Sequence, residues 1–170
     1  MSEINFFGEL FEDLCTRIET EIPAIKWIDQ NFGQLDNYTY DLETDFPAVL
    51  IDFSTTIYSD LMQYTQMADI TVEVRLIYSP FASASSNPPM DLNEEAVQCY
   101  LLEQRLYETL QGWHNDFSLP FTRIGAESEK EKYEGLRIRI LNFSTGYEDS
   151  SASTVTPKAT PNLSIEQEEE

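Results

Sequence analysis

Asp52, with Glu73 and Arg75 further along, is the arrangement in this sequence that comes nearest to a reaction centre. In a metal-dependent nuclease, two such acids hold magnesium while a lysine two residues after the second acid aids the attacking water. Here an arginine stands in the lysine position, and a formal net charge of −21 would repel a polyanionic substrate. The other reactive side chains are scattered. His114, the one imidazole, sits in Trp-His-Asn-Asp just past a predicted helix end and reads as a turn residue. Cys15 and Cys99 each fall inside a predicted helix with no second cysteine beside them, so two buried free thiols are expected. Asp36, Asp41, Glu43 and Asp45 cluster in one stretch but lack the alternating acids and turn glycine of a calcium loop. No Gly-x-Ser-x-Gly, His-Glu-x-x-His, phosphate-binding glycine loop or Cys-x-x-Cys occurs. The residues therefore predict no enzyme, no cofactor and no metal, with the nuclease kept as the alternative from another class.

Composition narrows the partners. At 170 residues the chain fits one domain with a sizeable core. The acid excess lacks the clustered Lys and Arg that phosphate contacts require, so no stable nucleic-acid binding is expected. The first residues, Met-Ser-Glu-Ile-Asn-Phe-Phe, carry an early acid and no basic region, and no apolar segment approaches the length of a membrane span. A soluble protein of a reducing cytoplasm follows as the expectation.

The elements that must position any site are built around Phe46 to Tyr78. From Ala68 to Tyr78, Ile70, Val72, Val74, Leu76 and Tyr78 alternate with Thr71, Glu73, Arg75 and Ile77, the period of a strand with one buried face. Ala48 to Phe53 is a nearly continuous apolar run, which predicts a strand covered on both faces. Between them, Thr55 to Met67 is too apolar for an idle loop. A long hairpin carrying its strands beyond the core would present Tyr58, Leu61, Met62, Tyr64 and Met67 as an oligomer interface, since Tyr and Met serve well at interfaces. The competing reading is that these residues cap the end of the core.

Before this hairpin, Phe7, Leu10, Phe11, Leu14 and Ile18 mark an amphipathic helix over Asn5 to Glu21, stopped by Pro23. Ile25 to Ile28 reads as a short edge strand and Gln30 to Asp45 as a loop. After the hairpin, Ser79 to Met90 is a Ser/Ala/Pro loop. A second helix follows over Asn93 to Gln111, closed by Gly112, with Cys99, Leu102, Leu106 and Leu110 as its stripe and Val97 and Leu101 beside it. Phe121 to Ala126 and Leu136 to Phe143 form a last strand pair around the turn Glu127 to Gly135, with Arg137 and Arg139 facing water or nearby Glu. The predicted fold is α+β: a mainly antiparallel sheet with a long hairpin, packed against two amphipathic helices. Residues 1–147 make the domain, and the Ser/Thr/Pro and Glu-rich residues 148–170 are expected to be a disordered tail.

This order of elements, together with Phe46-Pro47-Ala48-Val49, Leu110-Gln111-Gly112, Phe-Thr-Arg-Ile-Gly-Ala-Glu-Ser and Gly-Leu-Arg-Ile-Arg-Ile-Leu-Asn-Phe-Ser-Thr-Gly-Tyr-Glu-Asp as strands, resembles the tail-terminator family of long-tailed bacteriophages and prophages, also called minor tail or tail-completion proteins. The resemblance runs from Phe6 to Tyr147 and leaves the acidic extension outside it. It implies a subunit that forms a hexameric ring, caps the tail tube and meets the head–tail connector protein, in a bacterial cytoplasm during assembly and in the virion tail or neck afterwards. A related head–tail joining or tail-tube component is the alternative it leaves open.

Overall fold

The computed structural model describes residues 5–37, 45–79, 92–129, 133 and 135–153. Asn5 caps the first helix, α1 (Phe6–Glu21), by accepting the Gly8 N–H on its side chain. The helix buries Phe6, Leu10, Leu14 and Ile18, while Phe7 and Phe11 pack half-buried at the margin of the same core. It ends where the sequence places the stop, with Ile22 as its C-cap and Pro23 next.

A short strand, β1 (Trp27–Gln30), leads through the single turn α2 (Gln34–Asn37) to β2 (Ala48–Met62). The chain turns at Gln63 and Tyr64 and returns as β3 (Thr65–Tyr78), paired antiparallel with β2 from Ala48↔Ile77 to Met62↔Thr65. Helix α3 (Leu92–Leu110) is followed by Gly112 in the left-handed region (φ 76°), the conformation that lets the chain leave a helix. Strands β4 (Thr122–Glu129) and β5 (Arg137–Asp149) close the order β1-β2-β3-β5-β4.

The fold is α+β and its sheet mostly antiparallel, with β1 parallel to β2, pairing Trp27–Gln30 with Ala48–Ile51, and a third helix, the single turn α2, stands in the stretch Gln30 to Asp45 that the sequence reads as a loop. β1 sits slightly later than Ile25 to Ile28. Leu106 and Leu110 of α3 join the α1 residues over Val49, Ile51, Ile70, Val72, Val74, Leu76, Leu141 and Phe143. On the opposite face Ala48, Leu50, Ile77, Ile138 and Ile140 form a smaller cluster with Leu35 and Phe46. The apolar run at the start of β2 is thus buried on both sides, as its composition predicts.

Two boundaries move. β4 extends to Glu129, into the stretch read as turn, and β5 continues past Phe143 through Ser144, Thr145 and Gly146 to Asp149. Phe143, Thr145 and Tyr147 continue the buried alternation of the strand, while Ser144 and Gly146 have little strand preference of their own. Pairing with β3, down to Gln66↔Asp149, holds them extended. All of the loop read at Ser79 to Met90 except Ser79, together with Asp41 and Glu43 of the acidic cluster and the residues after Ser153, falls outside the described residues.

Candidate functional site

The residues considered for chemistry are engaged in structural pairs. Asp52 and Glu73 lie opposite each other on neighbouring strands. Arg75 reaches Glu129 at 2.5 Å and places Nε 3.0 Å from Glu73, an approach too oblique for a hydrogen bond. Burial raises the Glu73 pKa above the usual carboxylate range, Arg75 lowers it, and Asp52, Glu127 and Glu129 push it up again. Two of these acids already hold a guanidinium, which a metal ion would have to displace. Among the described residues, no three His, Cys, Asp or Glu side chains are placed to hold a metal.

The thiols and the imidazole are equally unsuited to nucleophilic work. Burial, together with Glu19, Asp29 and Glu12, pushes the Cys15 pKa up to about 11, and burial raises Cys99 as well, so both stay protonated near neutrality. His114 is exposed, its Nδ1 2.9 Å from the Asn115 carbonyl. It borders an open groove of about 410 Å³ between α1 and the 113–117 turn. Neither cysteine nor serine lines that groove, and the Thr20 hydroxyl there is donated to the Thr16 carbonyl.

Arg137 and Arg139 lie on the helix side of the sheet and meet α3. Arg139 grips Glu103 with two hydrogen bonds, 2.6 and 2.8 Å, and Arg137 donates to the Tyr100 hydroxyl at 2.7 Å. The partner for the arginines that the sequence reading foresaw is therefore Glu103 on the second helix. The apolar face of α3 is narrower than its sequence suggests. Val97 (54% exposed) and Leu101 point outward, while Cys99, Leu106 and Leu110 are buried and Leu102 and Tyr107 pack half-buried against the core.

What remains is the far end of β2 and β3. Up to Ile51 every residue of β2 is buried, and from Ser54 to Met62 nearly all are exposed. Tyr58, Leu61, Met62 and Tyr64, singled out by type in the sequence, are all exposed there, and Met67 is half-buried beside them opposite Ser59. Sequence reasoning missed Ile57, which is 63% exposed and belongs to the same group. Its signal was available, a β-branched residue in a Ser/Thr-rich strand. Tyr58 lies in one cross-strand row with Ala68 and Tyr147, whose ring stacks on Phe6 with centroids 3.5 Å apart. Burial raises the Tyr147 pKa, and the neighbouring Tyr58 adds to the shift. Tyr58 thus stands beside the margin of the core, while Ile57, Leu61, Met62 and Tyr64 are exposed outside it.

The backbone here is also open. β1 stops at Gln30, opposite Ile51, whose carbonyl takes the last bond from the Asn31 N–H, and beyond it the outer side of β2 meets no strand among the described residues. The other side of this end is closed. β5 flanks β3 to Asp149, and Leu119 covers β5 by donating to the Gly146 carbonyl and accepting from Thr145. Edge strands are usually blunted by Lys, Pro or a covering loop. Residues 52–62 contain neither Lys nor Pro, and the pairing is interrupted only at Phe53/Thr55 and Asp60/Met62.

Tyr64 adds a conformational cost. It turns the chain at φ 69°, in the left-handed region where a Cβ is unfavourable by roughly 1–2 kcal/mol. A glycine would suit this turn better. Tyr64→Gly should therefore raise stability by about 0.5–1 kcal/mol. Thermal unfolding checks this, and a lower midpoint would show that the ring packs usefully in the free subunit.

Compared with protein-family models and with curated protein sequences, the chain matches none at a significant level. The case for a function rests on the arm itself.

Proposed function

We propose that this chain is a structural subunit of phage or prophage tail assembly, a tail-terminator-like protein that closes into a ring through its β2–β3 hairpin arm and caps the tail tube. The observation that carries this reading is the concentration of Ile57, Leu61, Met62 and Tyr64, all exposed, along an open strand edge at one end of the sheet. Large apolar side chains beside unpaired backbone groups suit a protein surface, which can supply both packing and main-chain hydrogen bonds. The contact is heterologous, arm against a different patch on the neighbour, and such contacts generate a ring when the rotation closes. The resemblance to tail terminators supplies the hexamer, the tail tube on one face and the head–tail connector on the other.

Charge agrees with the role. A net charge of −21 gives a ring whose channel repels DNA, so nucleic acid passes without being held. Capping is then a binding event between ring faces and requires no covalent step. Light scattering and negative-stain images of the protein mixed with purified tail tubes test the reading. Rings seated on tube ends are the expected result; bare tubes beside dispersed monomers at high protein concentration would overturn it.

A further inference from the structure

An arm that joins one subunit to the next needs a second surface to meet, and α3 carries one at the other end of the sheet. Val97, Tyr100 and Leu101 stand three and four residues apart, which sets them on one outward face of the helix, and each is about half exposed. Arg137 fixes the place of this face by donating to the Tyr100 hydroxyl. At the arm, Tyr58 shares a row with Tyr147, about ten residues along β5 from Arg137, so roughly 30 Å separates the two apolar surfaces. Lying at opposite ends of the subunit, they can link copies head to tail, the arrangement a ring requires. A further exposed pair, Phe117 and Leu119, serves this less well, because Leu119 bonds Gly146 at the root of the arm itself.

Charge selects the same pairing. No Lys or Arg occurs from Trp27 to Val74, whereas Asp52, Asp60 and Asp69 lie on the two strands of the arm, and Glu148 and Asp149 end the strand beside them. Arm against arm would oppose carboxylates to carboxylates. In the first half of α3, Glu94, Glu95 and Glu103 are balanced by Arg105 and by Arg137 and Arg139 of β5, with Glu103 already gripped by Arg139. Arg105, one turn on from Leu101, is exposed. We propose that the arm of one subunit seats its exposed apolar side chains, Leu61 and Met62 foremost, on the Val97, Tyr100 and Leu101 face of the next subunit, with Arg105 and Arg137 there facing the aspartates of the arm. Apolar side chains then meet apolar side chains, and the acidic arm meets the one end of the sheet where arginines flank such a patch among the described residues. This assignment rests on reading the arm as an assembly surface and names what the arm meets.

Two variants, studied alone and mixed, test the contact. One carries Leu61→Asp with Met62→Asp and keeps its α3 face; the other carries Val97→Asp with Leu101→Asp and keeps its arm. Under conditions where the wild type self-associates, each alone should sediment as a folded monomer. An equimolar mixture should give dimers of one copy of each, because one intact arm meets one intact face and neither partner can extend the chain. Self-association of the Val97, Leu101 variant on its own would overturn the proposal, and so would a mixture that stays monomeric. Arg105→Glu, a single change at an exposed position, should weaken wild-type association about tenfold at low salt, a difference that fades as salt is added. Association equal to wild type at low salt would also overturn docking on this face. A wild-type chain that never self-associates, alone or on tail tubes, would overturn the contact together with the reading it rests on. Tail tubes left bare by a chain that does pair arm to face would overturn the capping role and leave the contact standing.

Discussion

Gly146→Ala should destabilise the fold by about 2–3 kcal/mol, which lowers the unfolding midpoint by roughly 4–12 °C in a chain of this size. The reason is a backbone contact. A Cβ built at Gly146 would lie 2.5 Å from the Ala68 carbonyl oxygen and 3.4 Å from the Leu119 side chain. Neither neighbour can retreat freely. Ala68 is held in register between Tyr58 and Tyr147, and Leu119 is fastened to β5 by its N–H to the Gly146 carbonyl and by the Thr145 hydroxyl on its own carbonyl. Relief of the clash must therefore separate β3 from β5 where the arm leaves the core, close to the Phe6–Tyr147 stack. Gly125→Ala is the control: its Cβ would meet nothing within 4 Å, and the change should stay within about 0.5 kcal/mol. Paired thermal or urea unfolding of the two variants measures the contrast, and equal midpoints would show that the two strands can separate at Gly146 without loss.

The same register explains which parts of the fold could be read from the sequence. Helix α1 and strand β3 each announce themselves through an apolar period of their own, and Ala48 to Ile51 through the absence of one. These segments carry their burial pattern locally. The end of β5 does so only through Phe143, Thr145 and Tyr147. Ser144 and Gly146 between them are extended because β3 lies alongside, a long-range cause that no local window contains. The direction of β1 is hidden for the same reason, since parallel and antiparallel strands of this length share one composition. Helix α3 fails in the opposite sense. Val97 and Leu101 stand beside the apolar stripe by spacing, yet only the stripe itself, Cys99, Leu102, Leu106 and Leu110, turns inward. At the candidate site, residue type was enough to mark Tyr58, Leu61, Met62 and Tyr64, because large apolar side chains in a segment without core periodicity need another explanation. It could not show that Tyr58 shares a row with Ala68 and Tyr147, or that β1 ends at Gln30, opposite Ile51, with no further strand on that side of β2 among the described residues. Both facts depend on elements distant in the chain.

Replacing Leu61 and Met62 together with Asp should abolish assembly while the subunit remains folded. Met62 is 68% exposed and Leu61 about as open as the tyrosines beside it, so two carboxylates there remain hydrated in the free protein. Surface changes of this kind alter stability by no more than about 0.5 kcal/mol per site. In a subunit contact the same carboxylates would lose their water opposite an apolar patch, beside Asp60, with no cation among their near neighbours on the arm. An unpaired buried charge costs about 3–5 kcal/mol, so even one of the two is enough to weaken the contact by about 10³-fold. The conservative pair Leu61→Met, Met62→Leu keeps apolar character and should keep assembly, which separates loss of the surface from loss of a particular shape. Sedimentation velocity and negative-stain images with tail tubes read the assembly, and the unfolding midpoint reads the fold. Rings that persist in the Asp variant would move the interface off the arm, and the exposed Val97, Tyr100 and Leu101 face of α3 would then be the next surface to substitute.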